Sequence, residues 1–266
     1  MTKQLKKIVA LLFWLIPLPL LADFDHSQWS YLLEQHVKQI DGWGVTRVNY
    51  AGMLADRSSL RDYLDDLAEI DRGVFNSWPE SDQLAFLINT YNAWTIELIL
   101  TEYPDIDSIR EFGFLFWSPW RRKSVSLFGE QVSLNDIEHR MIRGWDKYNE
   151  PRIHFAVNCA AIGCPALRAE AYEGYRLDQQ LEDATRLFLS DRRRNYFANN
   201  QLFVSRIFDW YGEDFQQGWI GVNSVGEFLA RYADVLDLDS GMATALMDGK
   251  LRIRHLRYDW RLNRTP

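Results

Sequence analysis

The chain has 266 residues, 47% of them hydrophobic and 25% charged, with 30 basic and 37 acidic side chains and a formal charge of −7. That composition excludes a disordered or low-complexity protein and allows a sizeable core that needs no covalent staple. The acidic balance also excludes the basic footprint of nonspecific nucleic-acid binding, so Arg121-Arg122-Lys123 and Arg192-Arg193-Arg194 are expected to be solvated faces.

The first residues stand apart from the fold. Lys3, Lys6 and Lys7 precede an apolar run from Ile8 to Ile16, followed by Pro17-Leu18-Pro19-Leu20-Leu21-Ala22. This is the charged, apolar and cleavage order of a secretory signal, and the run is short for a membrane span. Cleavage after Ala22 is expected, with an uncleaved anchor as the alternative. Its loss removes three lysines and no acid, taking the charge from −7 to −10. The expected location is therefore periplasmic or secreted, with no membrane span after cleavage. No repeat or linker divides the remainder, and residues 23–266 are expected to form a single globular domain.

Trp29, Leu32, Leu33 and Val37 have helical spacing, and the helix should stop before Asp41-Gly42-Trp43-Gly44. Val45 to Tyr50 predicts a short extended piece. Met53 to Ile70 predicts a second amphipathic helix, with Leu60, Tyr63, Leu64 and Leu67 on one face. From Leu84 to Leu100 almost no polar side remains, which predicts a helix inside the protein. Asn89 and Asn92 interrupt that helix on one face; buried amides need partners, so they either bridge loops or orient a ligand or catalytic group. The aromatic segment from Phe112 to Trp120 lines a pocket or covers the core. Lys123 to Phe128 and Gln131 to Leu134 predict a hairpin through Gly129. Ser133 and Asp136 then form a capping-box-like start for a helix carrying Glu138, His139 and Arg143.

Residues 152–165 concentrate the scarce reactive groups: both cysteines, Cys159 and Cys164, and one of five histidines, His154. Ile153, Phe155 and Val157 alternate with His154, Ala156 and Asn158, which predicts a half-buried strand with His154 and Asn158 on one face. Gly163-Cys164-Pro165 closes the following loop. Further on, Leu177 to Leu189 predicts a helix, Tyr196 to Val204 a hairpin turning at Asn199-Asn200, Val225 to Tyr232 a helix, and Lys250 to Leu256 a strand. Together these predict an α+β fold: a helix-rich domain packed on a small, mainly antiparallel sheet.

Three segments then become recognisable together: Phe86-Leu87-Ile88-Asn89-Thr90-Tyr91-Asn92-Ala93, Ser133 to His139, and Arg152 to Cys159 with Cys164-Pro165. They resemble the family catalogued as domain of unknown function 547, and Val48-Asn49-Tyr50 and Tyr258-Asp259-Trp260 resemble its outer markers. The resemblance implies an exported bacterial protein without a settled reaction. It groups Asn89, Asn92, Glu138, His139, His154, Asn158, Cys159 and Cys164 as one constellation.

Those residues admit three chemistries. In the first, the domain is a binding or structural one: Cys159 and Cys164 form a disulfide, and the polar set frames a site for a small molecule or peptide, with Asn89, Asn92 and Cys164 on the binding side. In the second, Cys159 is the nucleophile of a thiol hydrolase or transferase, with His139 or His154 as base and Glu138 or Asn158 as orienter. His139 is the better partner, because five residues of strand at about 3.3 Å each hold His154 away from Cys159. No cofactor is expected; a zinc ion on Cys159, Cys164 and a histidine is the third arrangement.

Overall fold

The computed structural model describes residues 23–40, 45–112, 119–144 and 147–266. The expected leader, the helix stop at residues 41–44 and most of the aromatic segment after Phe112 lie outside the described residues.

Helix α1 (Ser27–His36) runs directly into strand β1 (Val37–Ile40), which pairs antiparallel with β2 (Val45–Val48). The predicted second helix is two, α2 (Tyr50–Ala55) and α3 (Arg57–Glu69), broken at Asp56. A short α4 (Arg72–Ser77) leads to α5 (Glu80–Leu100), in which 17 of 21 residues are buried. Strands β3 (Val125–Leu127) and β4 (Glu130–Val132) form a hairpin. Its turn residues Phe128 and Gly129 both take positive φ, the geometry that matches strand twist. The capping box is present, since the Ser133 backbone N–H donates to Asp136 and the Asp136 N–H donates to Ser133 Oγ. What it opens is a π-helical turn over Asp136–Ile142 rather than an α-helix.

Helix α6 (Leu177–Ser190) precedes the hairpin β5 (Tyr196–Ala198) and β6 (Gln201–Val204), whose turn asparagines Asn199 and Asn200 also take positive φ. Helices α7 (Ile207–Trp210), α8 (Val225–Arg231) and α9 (Ser240–Met247) follow, and β7 (Arg252–His255) joins β6 in parallel. The fold is α+β and helix-rich. Among the described residues its strands form three small sheets, antiparallel except for the β6–β7 pair.

The predicted strand at residues 153–158 does not form. Pro151 to Phe155 is a 3-10 helix, with Pro151 in its first turn and the Glu150 carboxylate accepting the Arg152 backbone N–H. Alternation misled here because no face is solvated: residues 151–158 are all buried. Ile153, Ala156 and Val157 pack in a core built on α1 to α5, whereas Phe155 packs in a second core built on α6 to α9. The 3-10 turn thus belongs to both cores, with His154 between them in sequence.

Candidate functional site

A cavity of about 380 Å³ is lined from both cores. Tyr91 of α5, Glu138 and His139 of the π turn, and Val157, Cys159 and Cys164 face it from one side; Trp210, Tyr211, Tyr258 and Trp260 face it from the other. Trp120 joins the aromatic wall, its ring 6.0 Å from Trp260; Trp260 lies 4.6 Å from Tyr258, and Tyr258 4.8 Å from Trp210. Edge-to-face and tilted rings at these distances hold one another in place.

Glu138 is 5% exposed and is the one carboxylate lining the cavity among the described residues. Its Oε1 accepts the Tyr211 hydroxyl at 2.7 Å. Burial, reinforced by the Glu138 charge, pushes the Tyr211 and Tyr91 hydroxyls well above the usual phenol range, so both stay protonated and donate. The Tyr211 ring stacks on His154 at 4.0 Å and on His139 at 6.2 Å, with the Arg143 guanidinium 5.1 Å from its centroid.

Asp214 organises the basic groups. It accepts from His154 Nε2 at 2.6 Å and from Arg143 Nε and Nη2 at 2.5 and 2.8 Å. Burial opposes its charge, but the hydrogen bonds from His154 and Arg143 hold its carboxyl well below the usual carboxylate range. Burial lowers His154 in turn, with Asp214 opposing, so the arrangement is an Arg143–Asp214 ion pair beside a neutral imidazole. His154 Nε2 then carries the proton, and its Nδ1 is buried without a hydrogen-bond partner among the described residues. Arg143 Nη1 donates to His139 Nδ1 at 2.6 Å; a guanidinium cannot accept, so the His139 proton sits on Nε2.

Cys159 and Cys164 are joined by a disulfide with their Cα atoms 6.1 Å apart. The Tyr258 hydroxyl lies 3.2 Å from each sulfur, and the Cys159 N–H donates to Cys164 Sγ. The oxidised pair offers no thiolate, so the site gives the thiol-enzyme expectation no support. The same bond withholds both sulfurs from zinc. Among the described residues no group of three or more His, Cys, Asp or Glu side chains is arranged to hold a metal.

Three of the expected site residues are architectural. Asn89 pairs with the backbone of Tyr172 through both ends of its amide. Asn92 donates to the Ala156 carbonyl at 3.0 Å and accepts the Asn158 N–H at 2.8 Å. Asn158 does not share a face with His154; its side chain bonds the Pro165 carbonyl and the Ala160 N–H, closing the disulfide loop. Ala160 sits at φ 60°, a conformation costly for alanine, and the Asn158 bond helps to hold it there. His154, Glu138, His139, Cys159 and Cys164 do meet in one cavity.

Asp214 and Tyr211 escaped sequence reasoning altogether. Their signal was the density of aromatic and acidic residues in Trp210-Tyr211-Gly212-Glu213-Asp214-Phe215, which has no helical or strand period and forms a short helix end and a 3-10 turn.

No curated protein and no solved structure matches the chain. Residues 75–189 match the family described as Protein of unknown function, DUF547. That segment carries Asn89, Asn92, Glu138, His139, His154, Asn158 and both cysteines, whereas Trp210, Tyr211, Asp214, Tyr258 and Trp260 lie beyond it. The resemblance read from the sequence is thus borne out over residues 75–189, the segment of this chain that carries the DUF547 family.

Proposed function

We propose that this chain is an exported binding domain whose cavity takes a small molecule or peptide end with a flat apolar face and a hydrogen-bond-donating, preferably cationic, head. One observation carries the reading: the aromatic rings of Trp120, Trp210, Tyr211, Tyr258 and Trp260 surround a cavity whose one lining carboxylate among the described residues is Glu138. Aromatic faces are electron-rich and give large contact area with little side-chain freedom to lose, and a carboxylate among them favours a donor or cation. The volume falls in the range of about 300–1,000 Å³ typical of small-molecule sites. Arg143 makes its ion pair with Asp214, and its charge also acts on Glu138; Arg121 lines the cavity as well. Export is supported by the leader-like order of Lys3, Lys6, Lys7 and the apolar run after them, and by the joined cysteines, which suit an oxidising compartment.

Thermal-shift titration of the full chain against amines, amino acids and short peptides tests the proposal. At least one class is expected to raise Tm saturably. Glu138→Gln keeps an acceptor for Tyr211 but removes the charge, and is expected to weaken that ligand about tenfold with an unchanged circular dichroism spectrum. A flat panel, or an undiminished response in Glu138→Gln, rejects the reading.

A further inference from the structure

A second cavity, of about 280 Å³, shares Tyr258 with the first and is lined by Ile162 and Gly163 of the disulfide loop. The rest of its wall is strongly basic. Arg47 comes from β2, Arg193 and Arg194 from the turn after α6, and Arg257 and Arg261 from the C-terminal segment. Two carboxylates oppose these five guanidiniums among the described residues. Asp191, 1% exposed at its side chain, holds Arg193 and Arg194, and Asp259 holds Arg261. Arg47 and Arg257 make no ion pair with any described carboxylate. Among the described residues, five guanidiniums thus stand against two carboxylates around this small space, in a chain whose formal charge is −7.

The expected solvated face at residues 192–194 is therefore divided. Arg192 reaches Asp237 and the Val235 carbonyl, but Arg193 and Arg194 line the cavity, and the Arg194 side chain is only 12% exposed. Arg194 also donates to the carbonyls of Gly163 and Cys164, which fixes its guanidinium against the loop. Burial and the neighbouring Arg193 charge lower the Arg47 guanidinium from its usual value, with Asp259 opposing. Like charges gathered in a half-buried recess repel one another, and an anion placed there relieves the repulsion. Ser205 adds a hydroxyl that accepts the Ile207 N–H and keeps its own proton to donate.

We propose that this second cavity is an anion site for a phosphate group, carried by a soluble phosphomonoester or by a lipid headgroup. Planar guanidinium forks match tetrahedral oxyanions with two parallel donors each, and the excess of guanidiniums over carboxylates among the described residues suits a dianion better than a single carboxylate.

Calorimetric titration of the full chain with glycerol phosphate, at fixed ionic strength against chloride, tests the assignment. The expected result is saturable one-to-one binding, absent for chloride, and weakened about tenfold by Arg47→Gln and by Arg257→Gln. Arg257 is exposed, so that variant decides the matter should Arg47→Gln fold poorly. Sedimentation with phosphatidylglycerol vesicles, compared with phosphatidylcholine vesicles, separates the sources: arginine-dependent pelleting with the former identifies a headgroup, and binding of the soluble ester alone identifies a soluble ligand. Binding no different from chloride, or equal in wild type and both variants, overturns the proposal. Glu138→Gln is expected to leave phosphate binding unchanged, which keeps this outcome separate from that of the aromatic cavity.

Discussion

Two histidines, His26 and His154, are bases buried in the interior. His26 Nδ1 lies 2.7 Å from the Tyr63 hydroxyl, and burial pushes the imidazole down to about 3. His154 is lowered for the same reason, with its free lone pair at Nδ1. The folded chain keeps both neutral where the unfolded chain takes up protons, from about pH 6.5 downward. Stability is therefore complete above pH 6.5 and declines as pH falls through the interval toward 3 for His26. Asp214, held low in the fold, adds a further loss only below its ordinary 3.8. One histidine with a fully lowered pKa costs about 1.4 kcal/mol per pH unit, so His26 alone is expected to remove about 2 kcal/mol between pH 6.5 and 5. Urea denaturation at pH 7 and pH 5 measures this, and His26→Gln, which cannot titrate, should flatten the difference. A midpoint that does not move between those pH values contradicts the account.

At the level of elements, α5 is the rod on which the site is hung. A helix buried on all sides is legible in sequence because almost no polar residue appears from Leu84 to Leu100, and the exceptions announce themselves. Asn89 and Asn92 were legible as buried amides in need of partners, but whether those partners were ligand or backbone was not, because composition carries no distance. The structure gives backbone in both cases. Turns were legible where chemistry restricts them, as at Asn199-Asn200 and Phe128-Gly129. The 3-10 turn at Pro151 was not, because complete burial erases the contrast between faces on which periodicity depends. Asn92→Ala removes a donor and an acceptor at once, leaving the Ala156 carbonyl and Asn158 N–H unpaired in the interior. A loss of about 2–4 kcal/mol in chemical denaturation is expected. Asn92→Asp restores only the acceptor and should fall no better than midway; full stability in the alanine variant would show that this clamp is dispensable.

Across the whole molecule, the disulfide loop is the common wall of two cavities of opposite character. Cys159, Cys164 and Pro165 face the aromatic cavity and its carboxylate, while Ile162 and Gly163 face the arginine cluster. The Tyr258 ring packs against Gly163 so closely that a Cβ there would approach it to 2.9 Å, and its hydroxyl reaches both sulfurs. Only glycine permits this contact. The bond closes a loop with a sequence separation of five, too small to matter much for global stability, and chain entropy puts its contribution at about 2 kcal/mol. Its larger effect is local, because it fixes a backbone that Asn92, Asn158 and Arg194 also grip. Reduction, or a Cys159→Ser and Cys164→Ser double variant, is therefore expected to lower global stability by only about 2 kcal/mol while greatly increasing hydrogen exchange at residues 159–164. The folded, unreduced protein should show no thiol reactive to a maleimide probe, and two after denaturation and reduction. Two reactive thiols in the folded, unreduced chain would reverse the conclusion, opening Cys159 to the thiol chemistry that the oxidised loop denies it.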